Sequence, residues 1–192
     1  MTNKYREITT QTEQIQGDLI IIWKGTGKAY RAKNNELIRD KTYDYKFSVE
    51  QVRNSNTWNS IKNMHRVHPD YDNKSGPRDQ TYFFNINFKK NNNDKIISKI
   101  ISTFGNGIGT SDNEFRNQTL TINLNLNFIE KIFYPYNTIR IKQKYLYEKG
   151  ILQEDVELLM IKKSKEKLFM LIKEQALIYT QNKLDKAPTQ FK

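Results

Sequence analysis

Asp72 and Lys74 stand two residues apart in Asp72-Asn-Lys74, a spacing that can set a magnesium-ligating carboxylate beside a lysine facing a phosphodiester. Asp44 or Glu50 could supply a second carboxylate, so one reading of the chain is a Mg2+-dependent endonuclease. Asp72 falls between Pro69 and Gly76, in a polar connection without strand character, which makes coincidence the competing reading. His65 and His68 are the only histidines, three residues apart, and Pro69 interrupts any helix that would bring their rings together. The chain has no cysteine, so it has neither disulfides nor a thiolate metal site. The histidines read as polar or phosphate-contacting side chains, and no metal site is expected from them.

Three basic, glycine- or asparagine-containing stretches could bind phosphates. In Lys24-Gly-Thr-Gly-Lys-Ala-Tyr-Arg31 the glycines would expose backbone N–H groups, while Lys24, Lys28 and Arg31 neutralise charge. The spacing is not that of a Walker A loop, and a plain β-turn explains the glycines equally well. The second stretch is Asn63-Met-His-Arg-Val-His68 with Lys74 and Arg78, in which His65 and Arg66 would share the contacts. The third joins Gly105–Gly109 to Asn113, Arg116, Asn117 and Gln118, with Asn106 inside the glycine run. Arg and Asn are the side chains that pair bidentately with guanine and adenine edges.

These stretches sit on a strongly basic chain of 192 residues, in which 32 Lys and Arg against 21 Asp and Glu give a net charge of +11. The excess is spread along the chain, +6 up to Ile139 and +5 beyond it, so it is not a detachable tail. Such a surface attracts polyanions. Eleven Tyr, ten Phe and two Trp supply material for a folded core despite the polar composition.

The elements that must position these residues are mainly strands. Asp18–Trp23 predicts a buried strand ending in the Lys24–Lys28 turn, and Tyr43–Val49 predicts another. In Thr81–Phe88, Tyr82, Phe84, Ile86 and Phe88 alternate with polar residues, and in Thr119–Phe128, Leu120, Ile122, Leu124, Leu126 and Phe128 do the same. This is the pattern of a half-buried antiparallel sheet, with core the more economical role for its aromatics than base stacking. Tyr43, Tyr45 and Tyr71 are the candidates for exposed stacking platforms. Ser48–Met64 carries a weak helical period, Lys95–Thr103 is a short helix or strand, and Thr138–Tyr147 is a last strand. Beyond Gly150, Val156, Leu159 and Met160, then Leu168, Phe169, Leu171 and Ile172, form helical stripes, with Ser164 as an N-cap. The expectation is an α+β fold: a mostly antiparallel, open barrel-like sheet over residues 1–140, and a helical extension over 141–192 packed on it or on a partner.

The run Ile100-Ile-Ser-Thr-Phe-Gly-Asn-Gly-Ile-Gly-Thr-Ser-Asp-Asn-Glu-Phe-Arg-Asn-Gln-Thr-Leu-Thr-Ile-Asn-Leu124, a polar turn leading into a late strand, resembles the B3-like DNA-binding modules of restriction systems. The resemblance covers Asp18–Arg140. It implies an open pseudobarrel whose loop arms enter the DNA major groove, with Lys24, Lys28 and Arg31 on one arm and Asn106, Asn113, Arg116 and Asn117 on the other.

The functional expectation is therefore double-stranded DNA binding in a restriction or defence system, with no cofactor for binding and a catalytic subunit or domain as a possible partner. The alternatives are the endonuclease, with Asp72 and Lys74 catalytic and Mg2+ bound, and an RNA-binding or interaction protein using its tyrosines or its C-terminal stripe. The longest apolar run, Leu19–Trp23, is too short to cross a bilayer, and the expected setting is cytoplasmic with no membrane partner.

Overall fold

Inward and outward residues alternate along almost the whole chain, and a chain with a period of two must pair its strands edge to edge. The computed structural model describes residues 19–54, 56–72, 76–90, 95–127, 130–131 and 134–183. It contains eleven strands: β1 (Leu19–Lys33), β2 (Glu36–Arg39), β3 (Tyr45–Asn54), β4 (Thr57–Arg66), β5 (Asp79–Lys90), β6 (Ile96–Ser102), β7 (Gly105–Ser111), β8 (Asn117–Leu124), β9 (Thr138–Leu146), β10 (Ile151–Lys162) and β11 (Lys165–Lys183). All are antiparallel. From β3 to β11 each strand pairs with the next in sequence, and β1 sits between β3 and β11. Thirteen residue pairs from Leu19↔Lys183 to Arg31↔Met170 join β1 to β11, so ten strands close into a barrel and β2 is a short flap on the end of β1.

This corrects the expected open sheet with C-terminal helices. Val156–Ile178 is not helical; it forms the β10–β11 hairpin, and Ser164 is a turn residue with φ 62° rather than an N-cap. Two features disguised the strands. The register shifts opposite Leu158/Leu159 and Ile22/Trp23 leave Phe169 and Tyr179 as extra residues in β11 and break its alternation, and the inward positions Glu154 and Glu174 are ionisable rather than apolar. A slipped period of two with polar gaps mimics a period of 3.6. The helical period in Ser48–Met64 is likewise the β3–β4 hairpin, and the boundary at 140/141 falls inside β9. Lys24–Lys28 and Gly105–Gly109 are strand interiors rather than turns.

The glycines are there because there is no room for anything larger. A Cβ at Gly25 would lie 2.3 Å from the Gln175 carbonyl oxygen, and one at Gly27 would lie 2.4 Å from the Tyr45 ring. Close approach at these two points lets β1 coil tightly between its neighbours.

The barrel has two unlike ends. At the lower end, where β3 runs into β4, Trp58, Phe115, Tyr145 and Tyr147 are buried, with Trp58 and Phe115 centroids 5.1 Å apart and Tyr145 stacked on Tyr147. Arg53, 1% exposed, lies 3.8 Å from the Trp58 ring centroid and donates to Gln51. At the upper end, where β4 leads towards β5, the inward residues Tyr82, Phe84, Leu124 and Leu158 are only half-buried, as are Phe104 and Phe169. Outward positions are largely Lys, Asn, Thr and Gln, whereas a barrel in lipid turns an apolar band outward. No helix among the described residues is long and apolar enough to cross a membrane.

Candidate binding site at the upper end of the barrel

Arg66 ends β4 and turns inward among aromatic rings. Its guanidinium carbon is 4.9 Å from the Tyr45 ring centroid, 5.3 Å from Tyr71 and 5.7 Å from Tyr43. One terminal nitrogen donates to the Tyr43 carbonyl, while Nε is buried with no hydrogen-bond partner. A cation held against ring faces with a free donor is prepared for an anion. Tyr43 and Tyr71 meet edge to face at 5.8 Å, and Arg31 lies 4.8 Å from Tyr43 and 6.0 Å from Phe169. Tyr136 stacks on Phe169 at 5.8 Å, and Tyr82 packs on Phe104 at 4.5 Å. Burial pushes the Tyr82 phenol up to about 12, against the opposing charge of Arg66, and burial raises Tyr136 as well. These phenols are hydrogen-bond donors at neutral pH. The loops that build the site are held by Arg78, which donates to the carbonyls of His68 and Pro69, both at 2.7 Å.

Below this cage lies a buried ionic group. Lys62 Nζ is 2.5 and 2.6 Å from the two Glu174 oxygens and 3.7 Å from Glu154, Tyr45 donates its hydroxyl to Glu174, and Gln143 donates to Glu154. Burial and the neighbouring Glu174 charge push Glu154 up to about 8, so it is protonated at neutral pH. Burial works against ionising Glu174, but the Lys62 charge and hydrogen bonds from Glu154, Lys62 and Tyr45 keep it below the ordinary carboxylate value. The Lys62 ammonium is opposed by burial and more than restored by Glu174 and Glu154. The group therefore carries one ammonium, one carboxylate and one carboxylic acid, and is neutral as a whole.

The residues read from sequence are dispersed around this framework. Arg66, Arg31 and Arg78 come together at the upper end, although Arg31 is ion-paired with Asp40. His65 faces outward and bonds Asp79 at 2.7 Å. Asn106 is near the upper end of β7, whereas Asn113, Arg116 and Asn117 are at the lower end; Arg116 pairs with Glu114 and Glu148 at 2.8 and 2.7 Å, and Asn117 donates to Asp112. The later arm is thus split between opposite ends of the barrel. Asp72 is exposed and Lys74 lies outside the described residues; Asp44 is taken by Arg39 and by the Ala29 N–H, and Glu50 is exposed on β3. Among the described residues no three His, Asp or Glu side chains converge to hold a metal. Tyr45 and Tyr71, considered as exposed platforms, are buried.

Lys24 and Lys28 are exposed on the outside of β1, with Lys24 3.5 Å over the Tyr179 ring. Lys28 faces Lys173 directly across the β1–β11 pair, Lys173 faces Asp155, and Asp155 faces Lys142. With Lys144 they line an outer groove of about 1190 Å³.

Sequence reading missed Lys62, Glu154, Glu174, Tyr136 and Phe169. Their only sequence signal is two glutamates at positions where the strand alternation demands apolar residues. No protein-family model matches this sequence, and neither does any curated protein.

Proposed function

We propose that this barrel binds a small amphipathic molecule, flat and carboxylate-bearing, at its upper end. The observation that carries the reading is Arg66, fixed among Tyr43, Tyr45 and Tyr71 with a buried, unpartnered Nε. Half-buried rings of Tyr82, Phe104, Tyr136 and Phe169 around it supply stacking surface, and barrel mouths are where such ligands enter. The experiment is a fluorescence titration with a conjugated polyene carboxylic acid and its methyl ester. The acid is expected to bind saturably and more tightly than the ester by about 10- to 100-fold, the worth of a charge-assisted hydrogen bond. Arg66→Met is expected to erase that difference. Equal affinity for acid and ester, or no saturable binding, would overturn the reading.

A second reading, binding of duplex DNA, is favoured by one observation: Lys28 and Lys173 are held directly opposite each other on the outer face. Like charges so placed cost stability, a cost that a bound phosphate chain would relieve. Affinity would then fall steeply with added salt, and Lys28→Glu with Lys173→Glu would abolish it. Duplex affinity unchanged by this double substitution would reject the reading.

A further inference from the structure

The outer surface divides into two halves of different character. The β8–β11 and β1 half carries the lysine groove, whereas the outer face of β3–β6 holds an apolar cluster among Asn, Ser and Thr and is close to neutral, with Lys46, Lys89 and Lys99 set against Glu50 and Asp79. On that second face Ile101 is 60% exposed, Phe83 55% and Ile61 39%. Ile61 faces Phe83 across the β4–β5 pair, and Asn85 faces Ile101 across β5–β6. Together with Val52 they line a shallow groove of about 540 Å³. Asn59 and Asn85, whose side-chain amides are hydrogen-bonded to each other, floor its centre. Single exposed apolar side chains are ordinary, but a contiguous cluster across three strands is the mark of an interface.

We infer that this face joins two copies of the chain. Charge identifies the occupant: a protein of +11 repels its own copy over most of its surface, and this face is where the repulsion is least. The two charges next to the apolar cluster are opposite in sign. Glu50 stands beside Ile61 on β3, and Lys99 stands on β6 opposite Asn87 of β5, so they occupy opposite corners of the apolar cluster. In a two-fold interface residue i of one copy meets residue j of the other and the reverse. A two-fold that crosses the line between these corners sets Glu50 of each copy against Lys99 of the other, with the isoleucines and Phe83 buried between them. The two sheets then pack face to face, as sheets do in sandwiches.

The test is sedimentation of the full chain over a wide concentration range. A reversible dimer is expected. Ile101→Asp should weaken it by roughly 30-fold, the effect of removing an interface anchor, with an unchanged melting temperature as the check on folding. Glu50→Lys and Lys99→Glu should each weaken it about fivefold, and the two together should restore it, because the pair is then reversed. A wild-type chain that stays monomeric at every concentration overturns the inference. So does a dimer indifferent to Ile101→Asp, or a double charge reversal weaker than either single one. Failure of the ligand titration leaves these outcomes unaffected, since the two faces share no residue.

Discussion

At the scale of single residues, the Lys62, Glu154 and Glu174 group sets how the protein responds to pH. Glu154 titrates at an ordinary 4.5 when unfolded and at about 8 in the barrel, so between those values the folded state holds a proton that the unfolded state has released. Its contribution to stability is complete below the unfolded value and is lost as pH rises to about 8. Glu174 works in the opposite sense, contributing above its unfolded value and losing that contribution as pH falls through its lowered one. Thermal melting from pH 5 to 9 is expected to show a decline towards pH 8 that Glu154→Gln flattens, since the amide cannot ionise. Lys62→Met should be far more damaging, about 3–5 kcal/mol by denaturant midpoint, because it leaves Glu174 buried at 1% side-chain exposure without its counter-charge. Adding Glu174→Gln should recover much of that loss.

At the scale of elements, the hairpin turns and the tight contacts of β1 carry the clearest consequences. The β1–β2 turn places Asn34 and Asn35 at φ 52° and 64°, a conformation Asn tolerates. The β10–β11 turn places Lys163 and Ser164 at 48° and 62°, where neither side chain is favoured. Lys163→Asn with Ser164→Gly is expected to raise stability by about 1 kcal/mol, read as a rise in melting temperature. Gly25→Ala works in the opposite direction. A methyl group 2.3 Å from the Gln175 oxygen and 2.7 Å from the Ala176 Cβ must push β1 from β11, at about 1–3 kcal/mol.

For the whole molecule, closure is the decisive event. The pairing that completes the barrel joins the first described strand to the last, from Leu19↔Lys183 to Arg31↔Met170, so it is the least local contact in the fold. Truncation after Gly150 removes β10 and β11, exposes the edges of β9 and β1, and deletes Glu154 and Glu174 from beneath the aromatic cage. The expected outcome is loss of cooperative unfolding rather than a smaller intact domain, visible as a broad melt and aggregation through open edges. Such long-range closure also places folding of the intact chain in the slow, millisecond-to-second range of all-β topologies, measurable by stopped-flow fluorescence of Trp23 and Trp58.

Several features were determined locally and could be read without coordinates. The alternation of Tyr82, Phe84, Ile86 and Phe88, and of Leu120, Ile122 and Leu124, specified antiparallel strands and their inward faces, because side-chain direction along a strand depends only on parity. Thr138–Tyr147 was legible as a strand for the same reason, and the basic surface follows from composition alone. The candidate site was not legible. Arg66 looked like one more cation in a polar loop, and only the fold brings it against Tyr43, Tyr45 and Tyr71. Glu154 and Glu174 carried no role in the sequence, and only closure places both next to Lys62, more than ninety residues away in sequence. Parity is a property of neighbours in the chain, whereas burial of a charge depends on which distant strand supplies its partner. Tertiary structure alone decided that β1 closes on β11, and with it which partners Arg66 and Lys62 meet inside the barrel.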